Sequence, residues 1–94
     1  MVGEPETVWV DQKQYQAVGA TLARARERSG LTQQQLAKLL RKPQSFVSNF
    51  ERGQRRIDVL ELLVIVGALG TDPGRVFDEI VANYSGTRPA KRRR

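Results

Sequence analysis

The sequence predicts an all-α protein, a compact bundle of five helices. Three observations carry that prediction. Apolar residues recur at helical spacing in five stretches between residues 11 and 84. Each stretch has a start signal before it (Asp, Thr or Pro) or a glycine stop after it. No stretch shows the convincing apolar–polar alternation of a half-buried strand. Ninety-four residues fit one domain. Residues 1–10 form an N-terminal extension, 11–84 the helical domain, and 85–94 a basic tail of flexible composition.

Helix 1 starts at Asp11, with Gln14 as its capping-box partner and Val10 and Tyr15 as a flanking hydrophobic staple. Tyr15, Val18, Leu22 and Ala25 repeat along one side, and Gly30 supplies the stop. Helix 2 starts at Thr32, paired with Gln35, and its apolar side is Leu36, Ala37, Leu39 and Leu40. Helix 3 begins with Pro43 in the first helical position, where its missing N–H would be unpaired anyway, and ends at Gly53. Helix 4 opens on a capping box from Asp58 to Glu61, with Ile57 and Leu62 as the staple. Its body, Leu62 to Val66, is apolar all round, as expected of a central, enclosed helix. Gly70 closes it. Helix 5 follows Asp72-Pro73 and presents Val76, Phe77, Ile80, Val81 and Tyr84.

Cysteine and histidine are absent. That excludes disulfides, thiolate metal sites and a thiol nucleophile, and removes the commonest general base and metal ligand. No clustered acidic pair, glycine-rich phosphate loop or metal-ligand spacing stands out, so no catalytic residue, cofactor or metal is expected. The opening Met1-Val2-Gly3-Glu4-Pro5 is unlike a signal peptide, and the apolar run from Leu62 to Leu69 is too short to span a bilayer. A soluble cytoplasmic protein without membrane contact is the expectation.

The net charge of +6 is unevenly spread. Arg88, Lys91, Arg92, Arg93 and Arg94 lie in the tail, and without those five the 16 basic residues become 11 against 10 acidic ones. Within that near-neutral body, Lys38, Arg41, Lys42, Arg52, Arg55 and Arg56 stand against Glu51 alone over residues 38–56. Positive charge gathered in one central segment and one tail suits a polyanionic partner.

Helix 3 lies inside that segment. At about 100° per residue, Gln44, Ser48, Arg52, Ser45 and Asn49 share one arc of about 140°, and Phe46, Phe50 and Val47 take the opposite side. A purely solvating face would favour Lys and Glu, which are good helix formers. Amides, hydroxyls and a guanidinium are instead the groups that address base edges in a major groove. Helix 2 is separated from helix 3 by the short turn Arg41-Lys42, giving an angled pair whose second helix projects outward. Gln33 sits in the first turn of helix 2, where unpaired backbone N–H groups favour a phosphate. Lys42, Arg52, Arg55 and Arg56 flank helix 3, near enough to meet the DNA backbone.

Residues 19–70 resemble the Cro/repressor-like (Xre) family of helix-turn-helix regulators. The likeness is carried by Leu31-Thr32-Gln33-Gln34-Gln35-Leu36-Ala37 and by the stretch from Pro43 to Glu51-Arg52-Gly53. It covers just over half the chain. The resemblance implies a five-helix bundle of the repressor-like helix-turn-helix type with helix 3 as recognition helix. It implies base contacts from Gln44, Ser45, Ser48 or Asn49, and a Gln33 that anchors the operator backbone with help from the loop after Gly53. It also implies a structural ion pair between Arg26 and Glu51, whose breaking would cost ~3–5 kcal/mol if it is well enclosed. Arg41 departs from the family, which often has glycine at this turn. A positive φ there would strain an arginine by roughly 1 kcal/mol.

The function expected is sequence-specific regulation of transcription by a homodimer on a double-stranded DNA operator, with the two recognition helices about 34 Å apart. Helix 5 and the N-terminal apolar residues are candidate dimer surface, although Phe77, Ile80, Val81 and Tyr84 serve equally to cover helix 4. Val8-Trp9-Val10 either covers the bundle or reaches a partner chain, and the tail from Arg88 either meets DNA or aids solubility. An alternative is an antitoxin or adaptor whose main role is binding a protein partner. Co-purification of a partner at fixed stoichiometry separates the two readings.

Overall fold

Local capping chemistry decides where the helices begin. The computed structural model describes residues 9–84, and within them five α-helices: α1 (Gln12–Arg28), α2 (Gln33–Leu40), α3 (Gln44–Glu51), α4 (Val59–Leu69) and α5 (Pro73–Asn83). Asp11, Thr32 and Asp58 each accept a hydrogen bond from the backbone N–H three residues on. Gln14, Gln35 and Glu61 reach back to accept from the backbone N–H of the cap residue. All three capping boxes form, and each cap side chain contributes about 1 kcal/mol. Asp72 caps α5, with Pro73 in its first turn.

α3 is shorter than its sequence pattern suggests. Pro43 is the cap residue in extended conformation, Gln44 is the first helical residue, and Glu51 is the last. The chain leaves the helix at Arg52, ahead of the left-handed turn of Gly53 at φ +77°. The strained turn before α3 is present. Arg41 has φ 59°, the one positive value at a non-glycine among the described residues. There it ends α2, with the Lys42 N–H donating to the Ala37 carbonyl at 3.0 Å.

Every helix contributes to the core: Leu22 and Ala25, Leu36 and Ala37, Val47 and Phe50, Ile65, Val66 and Leu69, and Val76. Phe46 and Phe50 meet edge to face with ring centroids 5.6 Å apart. α1 and the end of α3 touch almost backbone to backbone. A Cβ at Gly19 would collide with the carbonyl oxygens of Phe50 and Glu51, and one at Gly53 would lie 2.6 Å from the Gln16 Cα. Gln12 Nε2 then donates to the Gly53 carbonyl at 2.9 Å, clamping this end of α3 to α1.

α4 is not enclosed, contrary to the expectation from its composition. Ile65, Val66 and Leu69 are buried, but Val59, Leu60, Leu63 and Val64 are exposed. A helix apolar on every side carries no periodic signal to say which side faces inward. Leu39, assigned to the apolar side of α2, is exposed as well. In α5, Val76 is buried and Ile80 packs against the core, while Phe77 and Val81 face outward. Trp9 stands 83% exposed, so it does not cover the bundle. Val8 and the basic tail lie outside the described residues. Among those described, no helix is long and apolar enough to cross a membrane.

Candidate nucleic-acid interface

Burial of Val47 and Phe50, with Phe46 half-buried beside them, turns the opposite side of α3 outward. Gln44, Ser45 and Arg52 are exposed there, and Ser48 and Asn49 are half-buried. The arc deduced from helical periodicity is therefore a real surface.

A chain of polar contacts anchors the start of that surface to the interior. Arg26 is buried and donates through Nε to Glu51 Oε2 at 2.6 Å, through Nη2 to Glu51 Oε1 at 3.1 Å, and through Nη1 to the Leu31 carbonyl at 2.8 Å. Gln33 Nε2 donates to Glu51 Oε1 at 2.8 Å. Gln44 Nε2 donates in turn to Gln33 Oε1 at 3.2 Å. A carboxylate only accepts, so Glu51 dictates which end of the Gln33 amide faces it. The Gln33 oxygen is thereby presented to Gln44, and one Gln44 N–H is committed to it. The other N–H and the carbonyl of Gln44 are the groups available to a base edge. The implied Arg26–Glu51 pair is present, and hydrogen bonding to Glu51 raises the Arg26 pKa.

The far end of α3 is organised by Arg52. Its guanidinium donates to Ser48 Oγ at 3.2 Å, to Asn49 Oδ1 at 3.1 Å and to Gln54 Oε1 at 3.4 Å. All three acceptors are neutral, so the positive charge of Arg52 is spread over the face rather than cancelled.

The loop after α3 treats its two remaining arginines differently. Arg55 donates to both carboxylate oxygens of Glu61, at 3.1 and 3.0 Å, and its guanidinium lies 4.6 Å from the Phe46 ring centroid. Hydrogen bonds from Arg55 lower the Glu61 pKa below its ordinary value, helped by the Asp58 backbone N–H and the charges of Arg55 and Lys42. The Arg55 charge, expected to face a phosphate, is thus met within the molecule, where it ties the α3–α4 loop to α4. Arg56 lies over the Tyr15 ring at 4.8 Å and is exposed. Lys42, also exposed, holds its ammonium 5.4 Å from the Phe46 ring. The structure therefore joins Gln33 with Gln44, groups Ser48, Asn49 and Arg52, and leaves Ser45 exposed at the start of the helix.

Sequence reasoning missed Gln12 and Glu61 as supports. The capping role of Glu61 follows from its spacing to Asp58, but its pairing with Arg55 depends on how the loop folds. Gln12 meets Gly53 across 41 positions, and no local pattern signals that contact. Among the described residues no three His, Cys, Asp or Glu side chains gather where they would hold a metal ion.

A helix pair joined by a tight turn, with an outward second helix carrying amides and hydroxyls, defines the helix-turn-helix class of DNA-binding transcriptional regulators. The chain belongs to the helix-turn-helix family HTH_3, whose model matches residues 22–76. Its solved structural relatives include an Xre-family-like protein from Pseudomonas syringae pv. tomato, 42% identical, covering 73% of this chain and 84% of that one at a TM-score of 0.65. The clp gene regulator ClgR from C. glutamicum is 29% identical, with 73% and 90% coverage and a TM-score of 0.69. The restriction-modification controller protein C.AhdI from Aeromonas hydrophila is 33% identical, with 68% and 96% coverage and a TM-score of 0.60. Comparison with curated protein sequences finds no significant match.

Proposed function

We propose that the protein is a sequence-specific regulator that binds a partly palindromic operator as a homodimer, with α3 of each copy in the major groove. The observation that carries this reading is the outward face of α3, with Gln44 held through Gln33 and Glu51 to the buried Arg26. An amide held in one orientation discriminates bases better than a freely rotating one, because less freedom is lost on binding. Gln44 and Ser45 meet base edges, Ser48 and Asn49 join them from the next turn, and Gln33 sits against the backbone at the start of α2. Lys42, Arg52 and Arg56 supply the phosphate contacts, which provide most of the affinity through counterion release. Arg55 supports the loop through Glu61 and contributes less directly.

ClgR and C.AhdI are, by name, a gene regulator and a controller protein, and the same kind of role is proposed for this chain. The reading puts the protein in the cytoplasm, on the nucleoid when bound, and assigns it no enzymatic activity. Selection of bound fragments from a random DNA pool, followed by footprinting, tests it. The expected outcome is one enriched motif with two related half-sites about 34 Å apart along the duplex. A pool that stays random after repeated selection contradicts sequence-specific binding.

A further inference from the structure

The outward side of α4 carries no polar side chain. At about 100° per residue, Val59, Leu63, Gly67, Leu60 and Val64 fall on one arc of about 140°. Ile65, Leu69, Leu62 and Val66 take the opposite, inward side. Val59 and Leu60 are each 72% exposed, Val64 61% and Leu63 47%. A surface helix of a single small domain ordinarily carries polar groups on its outward side. The apolar surface also continues beyond α4. Leu60 and Val64 share a cavity of about 190 Å³ with Leu40 of α2 and Phe46 of α3, with Lys42 and Glu61 also lining it. Contiguous apolar surface of this kind marks an interaction site.

Gly67 is the second observation. It lies inside α4, is exposed, and a Cβ added there would meet nothing within 4 Å. Glycine inside a helix is disfavoured relative to alanine, and nothing within one copy requires it. A second helix crossing at this point would favour it, because two helix axes come closest where the side chains between them are small.

The chemistry of the face selects its occupant. Glu61 is the sole charged residue of α4, and Arg55 neutralises it. The arc therefore offers no charge or hydrogen-bonding side chain by which to single out a different protein. Each copy carries a formal net charge of +6, yet no residue of the arc is charged, and Lys42 shares the adjoining cavity with Glu61. The rival face on α5 is less open, since Phe77 is 55% and Val81 42% exposed and the two line a cavity with Val10, Tyr15 and Val18 of the same copy. We propose that the Val59–Leu60–Leu63–Val64–Gly67 face of α4 is the docking surface for a second copy of this chain, α4 on α4 across a two-fold axis. The proposal rests on the homodimer reading and names the surface that reading requires, in place of the α5 surface expected from the sequence. Such a self-complementary patch is what an isologous interface needs, and an apolar centre is usual in homodimers.

The test is the solution mass of the full chain by sedimentation equilibrium, for the wild type and two double variants. The wild type is expected to be a dimer. Leu60→Glu with Val64→Glu is expected to raise the dimer dissociation constant at least about tenfold per substitution, while Phe77→Glu with Val81→Glu leaves it unchanged. Gly67→Leu, which favours helix, guards against misfolding of the first variant and is expected to weaken the dimer with helical content retained. A wild type that stays monomeric, or an α4 variant that stays dimeric while folded, overturns the proposal. Binding to a single half-site separates the two readings. An α4 variant that becomes monomeric yet binds a half-site like the wild type supports both. A dimer that α4 variants dissociate, in a protein indifferent to DNA sequence, supports the α4 interface and removes the operator reading.

Discussion

Gln44 is proposed to meet a base edge, and the order in which its amide presents donor and acceptor is set from Glu51. Its carboxylate orients Gln33, and Gln33 orients Gln44. Gln44→Ala is expected to weaken the preferred site by ~1–3 kcal/mol and to flatten base preference at one position. Equal losses on specific and random duplexes, measured by anisotropy titration, would show that Gln44 does not discriminate. Glu51 has a second task, because its side chain is only 6% exposed and neutralises Arg26. Glu51→Ala leaves the buried guanidinium only the Leu31 carbonyl and the exposed Glu27 carboxylate 3.9 Å away, and is expected to cost ~3 kcal/mol in urea unfolding, a large share of the ~5–15 kcal/mol typical of a domain. The surface pair between Arg55 and Glu61 gives a pH signature instead. The folded chain holds Glu61 ionised below its ordinary range, chiefly through hydrogen bonds from Arg55. The tether's contribution is therefore complete above the unfolded carboxylate's pKa and lost as pH falls through the lower folded value. Carboxyl NMR titration is expected to show the Glu61 midpoint rising in Arg55→Gln; an unmoved midpoint contradicts the pairing.

At the scale of elements, what was legible in the sequence was what is local. Asp11, Thr32 and Asp58 have their capping partners three residues away, so three helix starts are visible without tertiary information. Both faces of α3 are equally visible, because its aromatics and its amides alternate with helical period. α4 is the opposite case: with apolar residues on both sides, its inward face is set by contact with the other helices alone. The Gln12 bond to Gly53 and the close approach at Gly19 are likewise tertiary facts. Arg41 was legible only as a departure from a family habit, yet it adopts the left-handed conformation that the habit serves. Arg41→Gly is expected to stabilise the fold by up to about 1 kcal/mol, less the entropy that glycine adds to the unfolded chain. A lower urea midpoint in this variant would mean that the arginine side chain contributes more than its backbone strain costs.

For the molecule as a whole, the proposed reading draws affinity and specificity from different groups: exposed cations for the salt dependence of DNA binding, and the α3 amides and hydroxyls for its sequence dependence. Lys42→Ala and Arg56→Ala are each expected to reduce the slope of log affinity against log salt by about 1. Arg55→Ala should reduce it by less, since Glu61 already neutralises that charge. Equal slope changes for all three variants would show that Arg55 leaves Glu61 to meet a phosphate. Whether α3 is the surface that meets DNA is tested by an amide chemical-shift map of the labelled full chain on adding its selected operator. The largest changes are expected on Gln33, Lys42 and residues 44–52, with smaller ones at Arg56. Changes confined to α4 and α5, with α3 silent, would contradict α3 as that surface.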